Sequence, residues 1–365
     1  MHAQKSKAKR QRTPEVNVSS KLDMRSVASL AKVSIATVSR TINRVPTVNS
    51  VLAARVWKAV AELNYFPNTQ ARSLVSGRSR LLGLIVSEIT NPFFPELIQE
   101  FETAAVELGY ELLIGSTNYE RARMERCVRR MLERKVDGVA IMTFGIEELL
   151  LGQFVTTDTP TIFVDWAPPL QRSAVLAVDY HRGIYEGVQH LAVLGHRKIG
   201  FISGPLELRS AQTRKREFLK NLRAIGLQPK DAWMIQGTHT LEGGRDAMDQ
   251  ILQLKEWPTA LMCSNDMTAI GVQHAVFAAN LKIPDDFSLI GFDDVHLAEY
   301  TIPPLTTVRM SCRDLARAAV HNLISQIEPD RVSAPPTLKI PTHLIVRQTT
   351  GIPRNSLKDL APARR

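Results

Sequence analysis

From Leu81 onward the chain repeats one pattern, a short apolar run followed by a longer segment of helical character. The apolar runs fall at 81–86, 110–115, 139–142, 161–165, 199–203, 260–264 and 289–292. Helical segments separate most of them, for instance at 95–108, 121–134, 183–194, 214–224 and 268–279. A run that is apolar on both faces suits a strand of a parallel sheet covered by helices on either side. About ten such elements exceed one comfortable sheet, which predicts two α/β lobes. In sheets of this kind ligands bind beyond the carboxyl ends of the strands, here in the cleft between the lobes.

Ahead of residue 80 the pattern is different. Residues 23–63 read as three short helices. In the first, Val27, Leu30 and Ala31 form an apolar face, Lys32-Val33 makes a turn, and Ser34 caps a second helix with Val38 and Ile42 inward. The third starts near Asn49-Ser50 and buries Leu52, Val56, Ala59, Val60 and Leu63, and Pro67 ends the unit. This is a helix-turn-helix pattern, whose second helix lies in a major groove with its first residues against base edges. Charge agrees. Residues 1–80 hold 15 Lys and Arg against 3 Asp and Glu, whereas the remaining 285 hold 31 against 33. A basic head on a near-neutral body is the footprint of nucleic-acid binding.

The first 21 residues carry six basic side chains and one acid without an apolar core, so they read as a disordered basic tail and not a secretory signal. No run approaches the ~18–20 apolar residues of a membrane span, so no membrane partner and a cytoplasmic, nucleoid-associated location are expected. Cys127, Cys263 and Cys312 stand apart and are expected to be buried free thiols. There is no G-x-G-x-x-G, P-loop, G-x-S-x-G or metal-ligand cluster; Gly243-Gly244 read as preceding a helix without the dinucleotide spacing. No catalytic residue, cofactor or metal is expected.

A more specific signal lies in spaced motifs. The stretch from Val27-Ala28 to Asn64-Tyr65-Phe66-Pro67-Asn68 and Ala71-Arg72-Ser73-Leu74 resembles the headpiece and hinge of the LacI/GalR (lactose-repressor) family. The resemblance continues through Asn91-Pro92-Phe93-Phe94, Leu194-Gly195-His196-Arg197-Lys198-Ile199, Ser264-Asn265-Asp266, Gly291-Phe292-Asp293-Asp294 and Pro303-Pro304-Leu305-Thr306-Thr307-Val308, to about Gly351. It implies a basic tail at 1–21, a DNA-binding headpiece at 22–66, a hinge helix at 67–79 and a two-lobed, periplasmic-binding-protein-like effector domain at 80–352. The lobes would be about 80–178 with 310–338, and 179–309 with 339–352, leaving a tail at 353–365.

The same resemblance assigns sites. Ile35, Ala36 and Arg40 occupy its base-reading positions, and Arg40 can pair with the O6 and N7 of a guanine. Ser34, Thr37, Ser39 and Asn43 suit phosphate or capping contacts. Tyr65, Asn68 and Ala71 fall at the hinge, where Leu74 would wedge into the minor groove and kink the duplex. Trp57 departs from the family, which usually has a polar residue there. Asn91, Phe93, Phe94, Asp165, Trp166, Arg214, His239, Asn265 and Asp293 would surround a small effector, while His190 and His196 are read as structural. His239 replaces a stacking aromatic and Leu208 stands where the purine-binding branch has an arginine, so a carbohydrate-like effector is expected, with a purine corepressor as the alternative. The implied protein is a homodimeric repressor on a pseudopalindromic operator. A solute-binding protein of the same lobes would need a signal peptide and no headpiece.

Overall fold

The computed structural model describes residues 23–43, 45, 47–66, 77–143, 152–154, 156–165, 173–329 and 339–353. The chain divides into two compact units, Met1–Gly77 and Arg78–Arg365.

In the first unit, α1 (Met24–Ala31), α2 (Ile35–Ile42) and α3 (Ser50–Glu62) each begin at a side-chain cap. The Asp23 carboxylate accepts the N–H groups of Arg25 and Ser26 at 2.9 and 3.0 Å, Ser34 Oγ accepts that of Thr37 at 3.1 Å, and Asn49 that of Val51 at 2.9 Å. Val27, Ala28, Ala31, Val38, Ile42, Val56 and Ala59 form its small core, with Val60 and Leu63 packed at the edge. Leu30, expected on the buried face, is exposed: α1 is only two turns long and closes the core with Ala28 in its place. Lys32 bends the chain between α1 and α2 at φ 52°.

Among the described residues the second unit holds eleven strands: β1 (Leu81–Val86), β2 (Glu111–Ser116), β3 (Gly138–Met142), β4 (Thr161–Val164), β5 (Ser173–Asp179), β6 (Ile199–Ser203), β7 (Met234–Gln236), β8 (Ala260–Cys263), β9 (Ser288–Asp293), β10 (Thr306–Met310) and β11 (Lys339–Ile345). Their order is β2-β1-β3-β4-β5-β11-β10-β9-β8-β6-β7. Each half repeats one doubly wound order, β2-β1-β3-β4-β5 and β7-β6-β8-β9-β10, which places a topological switch between its first and third strands. The two expected lobes are thus present, but hydrogen bonds run through both. β11 pairs in parallel with β5 over Lys339, Ile340 and Pro341, then turns to β10 in antiparallel register from Thr342. Pro341, which has no N–H to give, sits at the change of partner.

Helices Leu241–Leu252 and Cys312–Ile327 complete the layers. Gly243 and Gly244 lie inside the first of these and not ahead of it. A Cβ on Gly244 would stand 2.1 Å from the Thr268 carbonyl oxygen, so the glycine lets this helix rest directly on helix Asp266–Ala278. Cys127 and Cys263 are buried free thiols, but Cys312, at the first turn of its helix, is only half-buried. His196 is buried between the hydroxyls of Thr259 (2.8 Å) and Ser288 (2.9 Å), and His190 meets Thr350 Oγ1 at 2.9 Å. Among the described residues no helix is long and apolar enough to cross a membrane.

Candidate functional site

The sequence sets out two candidate surfaces, one in each unit. On α2 the inward residues are Val38, Thr41 and Ile42, which leaves Ile35, Ala36, Arg40 and Asn43 exposed along the opposite side, with Thr37 and Ser39 half-buried. Ser34 and Thr37 join their hydroxyls at 2.9 Å, Thr41 Oγ1 donates to the Thr37 carbonyl at 2.8 Å, and Asn43 Nδ2 reaches Ser39 Oγ at 3.4 Å. The Arg40 guanidinium has no hydrogen-bond or ion-pair partner among the described residues. Arg55 is different. Its Nη2 donates to the carbonyls of Ala31 and Lys32 at 2.5 and 3.0 Å, tying α3 to the turn ahead of α2. One of the headpiece cations is therefore a brace, which charge counting alone cannot reveal. Tyr65 packs at the edge of the core, and Trp57 is 44% exposed on α3 with nothing in the structure to explain it. Asn68, Ala71 and Leu74, with most of the hinge segment, lie outside the described residues.

In the second unit Asn91, Phe93, Phe94, Asp165, Arg214, His239, Asn265 and Asp293 line one cleft that is partly open to solvent. Trp166 lies outside the described residues. Each lining residue follows the carboxyl end of a strand: Asn91 after β1, Asp165 after β4, Arg214 after β6, His239 after β7, Asn265 after β8, while Asp293 ends β9. That is where a doubly wound sheet leaves backbone groups unpaired and space for a ligand.

Arg214 is the centre of this cleft. It is 6% exposed; Nη1 donates to the Ser264 carbonyl and Nη2 meets Asp293 Oδ1 at 3.3 Å. The guanidinium lies 3.9 Å from the Phe292 ring centroid and 5.2 Å from that of Tyr180, a cation packed against two neighbouring aromatic rings. Its buried Nε finds no partner. Burial pushes the Asp293 carboxyl up to about 7 against the opposing pull of Arg214. Burial also raises Asp165, whose Oδ2 accepts the Tyr180 hydroxyl at 2.8 Å. His239 is driven down to about 3, first by burial and then by Arg214, so its imidazole is neutral near pH 7 and meets Ser264 Oγ at 2.9 Å. Space for that ring depends on Gly204, where a Cβ would come within 2.0 Å of Nε2.

Asn265 is mostly spent on structure. Its Oδ1 accepts the Thr268 N–H at 3.0 Å and hydroxyl at 2.6 Å, and its amide donates to the His239 carbonyl at 3.0 Å. It caps helix Asp266–Ala278 and anchors His239 in one stroke. Beneath it Asp266 is fully buried; it accepts the Val295 N–H at 2.9 Å and the Thr307 hydroxyl at 2.5 Å, fixing the loop after Asp293. Asp294 does not face the ligand space: it pairs with Arg309 and, at 2.7 Å, with Arg347. Asp165, His239 and Asp293 have φ of 75, 64 and 115°. Backbone in this region costs side-chain-bearing residues free energy and persists where surrounding structure imposes it, most often at ligand sites.

The structure adds Tyr119, Met142, Tyr180, Ser210 and Met310 to the lining, together with Leu208. Tyr180 was within reach of the sequence, because it directly follows β5 as Asp293 ends β9. The others carry no local signal.

Fold and sites together define a ligand-binding unit of periplasmic-binding-protein type preceded by a helix-turn-helix. Comparison with known proteins agrees. Residues 23–68 match the model of bacterial regulatory proteins of the lacI family, and 188–350 that of a periplasmic binding protein-like domain. The chain is 33% identical over 306 residues to the HTH-type transcriptional repressor PurR of Aliivibrio salmonicida, covering 84% of this chain and 92% of the relative. It is 34% identical over 307 residues to the ribose operon repressor of Escherichia coli K12, covering 83% and 92%. Among solved structures it resembles the lac repressor dimer bound to operator and the anti-inducer ONPF, with a TM-score of 0.77, 28% identity and coverage of 90% and 99%. The chain belongs to the LacI family of bacterial transcriptional regulators.

Proposed function

We propose that this regulator is a repressor that binds a pseudopalindromic operator as a homodimer and that a small carbohydrate-like effector in the cleft controls its affinity. One observation carries the reading. Residues as distant as Asn91, Asp165, Arg214, His239 and Asp293 converge on one cleft, in the same chain as a capped, exposed α2. Arg40 is free to read guanine, Ile35 and Ala36 to meet thymine methyls, and Ser34, Thr37, Ser39 and Asn43 to reach the backbone. The boundaries taken are 22–66 for the headpiece, 67–79 for the hinge and 80–352 for the effector domain. Leu74 in the hinge is taken as the minor-groove wedge, assisted by Tyr65, Asn68 and Ala71. The exposed Phe277, Tyr300 and Ile302 supply apolar surface for contact with a second copy. Such a protein works in the cytoplasm, where its operator is.

Relatives named for purines and for ribose stand at nearly equal identity, so the effector class rests on the cleft itself. Carboxylates, an arginine, a neutral histidine and two phenylalanines suit hydroxyl groups and the C–H faces of a sugar. Leu208 and His239 offer a purine neither an arginine nor a stacking ring. Calorimetric titration of free sugars and of hypoxanthine and guanine tests this. A sugar that binds and changes operator affinity supports it, and a bound purine contradicts it.

A further inference from the structure

The charges lining the cleft do not balance. Among its described residues there are two carboxylates, Asp165 and Asp293, and one cation, Arg214. Arg214 is committed to Asp293 and to the Ser264 carbonyl and packs against the neighbouring rings of Phe292 and Tyr180, and its Nε has no partner among the described residues. His239 does not supply a second cation, because burial beside Arg214 holds it neutral. Among the described residues the Asp165 carboxylate makes no ion pair; it accepts the Tyr180 hydroxyl and feels Arg214 only at longer range.

We infer that Asp165 sets the charge class of the effector, making the cleft select an uncharged, hydroxyl-rich molecule over its phosphorylated or acidic forms. The inference rests on the cleft being the effector site. An anion placed here would face an unmatched carboxylate in a poorly solvated space, where like charges repel far more strongly than in water. It would need a proton on Asp165 as well as on Asp293, whose own carboxyl burial already pushes up to about 7. A hydroxyl group meets no such barrier: it donates to Asp165 Oδ1 or Asp293 Oδ2 and accepts from Arg214 Nε. The hydrogen bond from the Tyr180 hydroxyl holds the carboxylate toward the cleft.

The test uses the full chain and inorganic phosphate, with D-ribose against ribose 5-phosphate and D-glucose against glucose 6-phosphate as paired probes, followed by thermal unfolding and calorimetry. The wild type should show no saturable phosphate binding and should prefer the free sugar of any pair it binds by at least tenfold. Asp165→Asn should acquire phosphate binding at least tenfold tighter than the wild type, and Asp165→Glu should not. Circular dichroism establishes that each variant is folded. Wild-type binding of phosphate or of a sugar phosphate at or above the level of its free sugar overturns the inference. So does a folded Asp165→Asn that gains nothing. If a free sugar binds and Asp293→Ala leaves its affinity unchanged, the failure belongs instead to the assignment of the cleft.

Discussion

The headpiece and the cleft each turn on one arginine, and the two are opposites. Arg40 stands exposed on α2 with no described partner, whereas Arg214 is buried against two neighbouring rings and bound to Asp293 and Ser264. A surface that reads DNA must meet phosphates and base edges without first giving up internal bonds, so its polar groups are held only at their roots, by caps such as Ser34. A cleft that reads a small molecule must fix its polar groups before the ligand arrives, and it does so with buried charge and strained backbone. The same side chain is therefore dispensable to folding in one place and essential in the other.

The largest expected effect follows from that contrast. Arg214→Met leaves Asp293 buried without its cation and should cost about 3–5 kcal/mol, read as a lower urea midpoint for the second unit. Arg40→Met should change stability by no more than about 0.5 kcal/mol. Equal losses would erase the distinction. In operator binding the order reverses: Arg40→Ala should lose about 1–3 kcal/mol of specific affinity by fluorescence anisotropy while leaving non-specific binding nearly intact. Smaller again, Ser34→Ala should cost about 1 kcal/mol through the lost cap on α2. A headpiece melting curve identical to the wild type would remove Ser34 as a root of the reading face.

Acid sharpens the comparison further, because the cleft holds two titrating groups of opposite sign. Asp293 is raised from its ordinary 3.8 to about 7, so its folded state gains from the proton; the stability it adds is full below 3.8 and is lost as the pH climbs through about 7. His239 is lowered from 6.5 to about 3, so the stability of its neutral form is full above 6.5 and is lost as the pH falls toward 3. Urea midpoints measured from pH 4 to 7 should therefore rise more steeply with pH in Asp293→Asn than in the wild type, and less steeply in His239→Gln. Slopes unchanged in both variants would place these groups in ordinary solvent.

The sequence made legible what local pattern controls. The runs at 81–86, 139–142 and 199–203 reappear as β1, β3 and β6 within a residue, because a buried strand needs an unbroken apolar stretch. β5, β7, β10 and β11 escaped; β7 is only three residues long, and β11 carries Pro341 and changes partner midway, so neither of these two shows a steady period. Eight cleft residues were readable through spaced motifs, but Tyr119 and Ser210 enter only because loops from separate strands meet. Asn265 shows the other limit. Its type announced a ligand contact, whereas the structure spends most of it on holding backbone in place.

The most direct test of two separable readers in one chain is the DNA motif recovered by in vitro selection with the wild type, Arg40→Ala and Asp293→Ala. The wild type should select an inverted repeat, Arg40→Ala the same repeat with one position relaxed in each half, and Asp293→Ala the wild-type motif unaltered. An Arg40→Ala motif identical to the wild type, or an Asp293→Ala motif that loses its repeat, would contradict the account.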